Sequence, residues 1–336
     1  MTVLSDLPLR SATRTIKGVS FPAIIHNGSY FLADIGVYED GIVDCWGGVD
    51  LKLFKKKVSS GWVKTSIPDG AVLSAHHLAH MTVANAQWSM TPRTLSKRVK
   101  SIIKALNPDM INLYDMAGED TDRSGKISLM KVNRMSKATW RNDERMPLLS
   151  QPIMGIAQKA FWRANEKIHV VTVSLFDDDQ VQITGAGEEV AMSLDALRED
   201  ERLTTASKGD SVQISGLCNF EIADIGFTIP KDDFLSELEI GRDRLLGRET
   251  PVSRAVAVFK AFQENPTTEM LEELRTAYET VPRHMRRYCG NMDSKDIPIR
   301  IALYGEQEIE NWSHYALAKA KGHDLPSIDT PKLKDS

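Results

Sequence analysis

The stretch from Tyr30 to Leu53 constrains the fold more than any other. A β-prone run, Tyr30 to Tyr38, leads into Glu39-Asp40-Gly41, and a second run follows from Ile42. Asp-Gly between two such runs is a strong hairpin signal, because glycine takes up positive φ at little cost. The flanking aromatic and β-branched residues suit a half-buried pleated surface. The first domain is therefore expected to grow around an antiparallel hairpin.

Other short strands are expected around it: Phe21–Ile25 before the turn His26-Asn27-Gly28, and Trp62–Thr65 before the turn Pro68-Asp69-Gly70. Between them, Asp50 to Val58 reads as a short amphipathic turn of helix. Thr91-Pro92 then signals a helix start, and Leu95, Val99, Ile102, Ile103 and Leu106 recur at helical spacing until Asn107-Pro108. Residues 129–141 read as a second basic helix, and 146–152 as a Pro-flanked linker. A second β-rich region starts at Ile168, with a return strand at Val181–Thr184 and further strands at Val212–Ser215 and Phe220–Ile229. The phrase Val181-Gln-Ile-Thr-Gly185 returns as Val212-Gln-Ile-Ser-Gly216, which implies two strands in similar environments. From Asp232 the chain turns helical. Val252, Ala255, Val256, Phe259 and Phe262 mark one buried face, and Met270, Leu271, Leu274, Ala277, Tyr278 and Val281 another.

The expected fold class is α+β: a small β-rich N-terminal module with helices, then a second β-rich region and a helical C-terminal part. The expected divisions are an irregular arm at 1–20, a basic domain at 21–147, an acidic domain at 153–322 and a tail at 323–336. Whether the two β regions share a sheet is not decided by their patterns.

Charge divides the chain. Residues 1–167 carry 23 Lys+Arg against 15 Asp+Glu, and residues 168–336 carry 19 against 31, for the net −4 of the whole. A basic half facing an acidic one either serves attraction between the two or meets a polyanion. The candidate polyanion contacts are Lys55, Lys56, Lys57, Lys97, Arg98, Lys100, Lys104, Arg134, Lys137 and Arg141. Trp46, Trp62 and Trp140 are aromatic neighbours, with Trp46 the preferred contact residue.

Four other constellations carry chemistry. His76 and His80 could share a metal if their segment were helical, since residues four apart lie on one face. Asp44, Asp50 and Lys52 offer two acids and a lysine, the set a magnesium-dependent nuclease needs, in a pattern that chance often produces. Asp120 to Ser128 fits the first half of a calcium loop, but its twelfth position is Lys131, where a bidentate glutamate is required. Tyr288, Asp293, Lys295, Asp296 and Arg300 crowd a Gly-Asn loop, which reads as a ligand loop or as an internal ion-pair network.

No Gly-rich phosphate loop, nucleophile elbow or zinc-ligand set occurs, and no cofactor is expected. Cys45, Cys218 and Cys289 form no CxxC pair, no apolar run is long enough to span a bilayer, and the first residues, Met1 to Arg10, are not expected to act as a secretory signal. The expectation is a cytoplasmic interaction or regulatory protein, with a protein partner and with nucleic acid as the polyanion its basic half would meet. The rival readings are a metal-dependent hydrolase using His76, His80 and nearby carboxylates, and a structural subunit. Nothing in the sequence decides whether the chain is an enzyme.

Overall fold

The computed structural model describes residues 16–115, 134–136, 140–141, 153–331 and 333–334, with backbone alone at 134–136 and 140–141. It forms two compact units, Met1–Phe234 and Leu235–Ser336. The first is β-rich and the second helical, so the α+β expectation holds.

The opening hairpin is present. β2 (Ser29–Tyr38) turns through residues 39–42 into β3 (Val43–Asp44), with Val37 opposite Val43. Gly41 sits at φ 84°, and Asp40 Oδ1 accepts from the N–H of Ile42 at 3.2 Å. The return strand is shorter than expected, because Trp46 and Gly47 take positive φ and turn the chain into β4 (Gly48–Val49). Asp50 then caps α1 (Leu51–Ser59), accepting from Leu53 N–H at 2.7 Å. That cap and the buried pair Phe54 and Val58 stabilise two and a half turns where the sequence suggested one.

On the other side of β2 runs β1 (Ile16–Asn27), paired along its length through the Gly28 turn. Residues 16–20, expected in an irregular arm, are thus strand: Ile16 and Gly18 pair as well as the apolar run does. β5 (Val63–Lys64), β6 (Val72–Ala75) and β7 (Ala79–Trp88) follow, then α2 (Pro92–Leu106) under a Thr91 capping box. The basic helix expected at 129–141 is not formed where the chain is described. β8 (Arg134–Ser136) pairs with β1, and β9 (Trp140–Arg141) pairs with β10 (Ile153–Ala164). Strand edges waiting for partners override helical spacing there.

The second β region repeats the first. β10, β11 (Lys167–Phe176), β12 (Gln180–Ala186), β13 (Glu188–Ser193), α3 (Leu194–Glu199), β14 (Leu203–Thr204), β15 (Ser211–Ile214) and β16 (Cys218–Thr228) match β1, β2, β3, β4, α1, β5, β6 and β7 in order and pairing. β2 pairs antiparallel with β1 and parallel with β6, and β11 does the same with β10 and β15. The β6–β7 turn holds His77 at φ 60°, and its counterpart holds Gly216 at φ 71°. Leu78 N–H bonds Ala75 O, and Leu217 N–H bonds Ile214 O, both at 3.0 Å.

The copies join through an antiparallel β7–β16 pair at the centre of one sixteen-stranded sheet. The join is reciprocal: Ser89 N–H donates to Leu217 O, and Ile229 N–H donates to Leu78 O, both at 2.8 Å. The two β regions therefore form one sheet, and the unit boundary falls at 234/235 rather than in the stretch between residues 147 and 153. The echoed Val-Gln-Ile phrases lie on β12 and β15, which flank the same strand β11 and bury Val181, Ile183, Val212 and Ile214. Similar environment, not the repeat itself, explains that echo.

The second unit begins within α4 (Lys231–Leu245) and continues through α5 (Pro251–Glu264), α6 (Thr268–Thr280), a 3-10 helix (Arg283–Tyr288), α7 (Ile297–Tyr304), a second 3-10 helix (Glu306–Asn311) and α8 (Ser313–Lys321). α5 buries Val252, Ala255, Val258 and Phe262, while Val256 faces solvent, contrary to expectation. Leu274, Ala277, Tyr278, Met285, Ile299 and Leu303 complete this core.

Candidate functional site

The basic segments at 55–57 and 97–104 meet in space. Phe54 and Val58 of α1, with Leu95, Val99 and Ile103 of α2, enter one core beneath the sheet residues Ile25, Ile35 and Val37. Helical geometry then sends the intervening residues outward. Lys52, Lys55 and Lys56 are exposed on α1, and Arg93, Lys97, Lys100 and Lys104 form an exposed row along α2 at spacings of four, three and four. Neither helix contains an acidic residue, and Asp50 is buried in its capping role. None of these seven cations is ion-paired among the described residues. Lys52 and Arg93 join the candidate contacts, and their helical spacing is the signal that marks them.

Two predicted contacts are turned elsewhere. Lys57 lies over the Trp62 ring at 4.7 Å, and the Arg98 guanidinium over Phe21 at 4.3 Å. The side chains of Arg134, Lys137, Trp140 and Arg141 lie outside the described residues, as does the calcium-loop candidate at 120–131.

Trp46 is half exposed and packs against Phe31, ring centroids 5.0 Å apart. Both line a cleft of about 640 Å³ with His76, His77, Lys159 and Asp34, the last two ion-paired at 2.8 Å. Two of the lining residues, Trp46 and His77, are non-glycine residues with positive φ, a costly conformation that the surrounding fold must enforce.

The histidine segment is a hairpin, not a helix. His76 and His77 occupy the β6–β7 turn with rings 3.9 Å apart, while His80 is on β7 against Phe227. The one-turn spacing that would let His76 and His80 share a metal is therefore lost. Among the described residues no group of three His, Cys, Asp or Glu side chains is placed to hold one. Asp44 and Asp50 are likewise engaged, accepting from Gly47 N–H and Leu53 N–H.

In the second unit, Asn291 organises the crowded loop. Its side-chain oxygen accepts from Asp293 N–H, Ser294 N–H and Ser294 Oγ, and its carbonyl accepts from Lys295 N–H. Trp312 Nε1 donates to Asp293 O at 2.9 Å. Asp296 accepts from the Tyr278 hydroxyl at 2.5 Å, and Arg300 pairs with Glu308. The loop is thus held by local bonds. Asp296 and Arg300 reach a cleft, whereas Asp293 and Lys295 do not line it. Tyr288 is exposed, with Arg287 over its ring at 5.8 Å.

No helix among the described residues is long and apolar enough to cross a membrane. Residues 9–110 match a domain of unknown function, DUF7638, and residues 250–328 match a second, DUF7639. The first match covers the first copy of the sheet repeat with α1 and α2, and the second covers α5 to α8. No curated protein and no solved structure is significantly similar to the chain.

Proposed function

We propose that the chain is a binding protein that holds a nucleic-acid backbone on the exposed face of α1 and α2. The observation that carries this reading is the row of cations, in no ion pair among the described residues, on two adjacent helices that themselves contain no acidic residue. Like charges at three- and four-residue spacing destabilise a helix by about 0.2–0.5 kcal/mol per pair, so the arrangement is a folding liability without a polyanion. With one, each lysine that neutralises a phosphate releases a condensed counterion, which makes binding strong at low salt and independent of sequence. Lysine suits this role as a mobile point charge, whereas planar base reading favours arginine and amides. The same reading places the protein in the cytoplasm, in keeping with three buried, free cysteines.

Fluorescence anisotropy of labelled single- and double-stranded oligonucleotides over a salt series tests it. Affinity should fall linearly on a log–log plot, and each lysine among Lys55, Lys56, Lys97, Lys100 and Lys104 changed to glutamine should lower the slope by about one. Absence of binding at low salt would refute the reading. Binding to polyaspartate in place of nucleic acid would reassign the face to an acidic protein partner.

A further inference from the structure

A second cationic site lies in the other unit. The cleft reached by Asp296 and Arg300 has a volume of about 520 Å³, within the range of small-molecule sites. Among the described residues four arginines line it, Arg283, Arg286, Arg287 and Arg300, and two carboxylates, Asp296 and Glu308. The whole unit carries 15 Lys+Arg and 17 Asp+Glu, so this concentration of arginine is not a reflection of overall charge.

Both carboxylates are already engaged. Glu308 holds Arg300 and accepts from Asn311 Nδ2 at 3.1 Å, and buried Asp296 accepts from Tyr278. Arg283, Arg286 and Arg287 are in no ion pair among the described residues. Two of them are nevertheless fixed. Arg286 donates through Nε to Val281 O and through Nη2 to Glu279 O, with its guanidinium over the Tyr278 ring at 4.9 Å. Arg287 donates through Nε to His284 O at 3.3 Å. Backbone carbonyls therefore hold both Nε groups and one Nη2 hydrogen of Arg286, and leave the remaining Nη hydrogens for a ligand. All three arginines are on one 3-10 helix, where residues three apart eclipse, so Arg283 and Arg286 rise from the same edge.

Three arginines on one short helix, none of them ion-paired among the described residues and two of them held by backbone carbonyls, form an anion receptor, since the forked guanidinium matches tetrahedral oxyanions in bidentate fashion. We infer that this cleft binds the phosphate group of a small phosphorylated molecule, with Arg283, Arg286 and Arg287 as its ligands and Tyr278 as the floor. The site is separate from the α1–α2 face and stands or falls independently of it.

Isothermal calorimetry on the full chain with inorganic phosphate, pyrophosphate and citrate, at matched ionic strength, tests the inference. Arg283 and Arg287 are exposed, so Arg283→Gln with Arg287→Gln should leave the melting temperature unchanged while weakening pyrophosphate binding about tenfold or more. Arg254→Gln with Lys260→Gln, an equal loss of two charges on the exposed side of α5, and Lys97→Gln with Lys100→Gln should alter binding less than twofold. No heat from either phosphate compound, or equal losses in the variant changed at Arg254 and Lys260, would overturn the site. Citrate binding as tightly as pyrophosphate would overturn the ligand class.

Discussion

A β-carbon added to Gly290 would sit 1.4 Å from the carbonyl oxygen of Lys295. The chain folds back on itself there, with Asn291 and Lys295 bridged by a 2.9 Å bond, and no side-chain movement can relieve a clash with backbone. Gly290→Ala should therefore cost about 3 kcal/mol, at the upper end of overpacking penalties. Urea denaturation would measure it, and hydrogen exchange should quicken first at residues 291–296. A variant with native stability would mean that this loop is not built as described.

Two turn glycines separate backbone strain from crowding. Gly28 has φ 72° with nothing near its missing side chain, and Gly41 has φ 84° with Leu113 Cδ2 at 3.3 Å. Gly28→Ala should lose about 1 kcal/mol, the cost of placing a β-carbon at positive φ. Gly41→Val adds a branched group against Leu113 and should lose roughly 3 kcal/mol. Equal losses in urea midpoints would refute the assigned packing at the β2–β3 turn.

Burial pushes the Cys45 thiol up to about 11, with the carboxylate of Asp44 adding to the rise and Lys57 opposing it. Burial likewise raises Cys218 and Cys289 to about 12. A thiol whose folded value exceeds its unfolded value, near 9, contributes stability that is complete below pH 9 and is lost as pH rises through the folded value. Melting temperature should fall between pH 9 and 12, less steeply in Cys45→Ala. At pH 8 a thiol reagent should label three cysteines in denaturant and none promptly in the native protein. Rapid native labelling would show that one thiol is accessible.

The hairpin at Gly41, the capped starts at Thr91 and Thr250, and the strands at 168–176 and 181–184 were legible because each is set by local chemistry. Turn glycine, N-cap hydroxyl and two-residue alternation act within a few positions. The duplication was not legible, because matched positions share burial and backbone shape rather than identity: Met81 matches Phe220, and His77 matches Gly216. The meeting of α1 and α2 could be posed from the sequence but not answered, since it depends on Phe54 and Val99 sharing a core. The arginine cleft was legible only in part. Asp296 and Arg300 stood out by crowding, and Arg286-Arg287 as charge nearby, but Arg283 sits on a 3-10 turn with no periodicity, and Tyr278 read as core. Their convergence spans Tyr278 to Glu308 and is made by tertiary packing.

Lys100 gives the basic face a test in which stability and binding move in opposite directions. It lies three residues after Lys97 and four before Lys104, so its charge is repelled from both sides of the α2 row. In Lys100→Glu both repulsions become attractions, which should raise stability by about 1–2 kcal/mol at low salt. The gain should vanish in 1 M salt, where the screening length is about 3 Å. If the row serves only folding or solubility, nucleic-acid affinity should not change in the same variant. If it is the binding face, affinity at low salt should drop while the melting temperature rises, the signature of charge retained at a cost to stability. Lys100→Gln should fall between the two in both measurements, and a variant that gains stability without losing affinity would remove α2 from the interface.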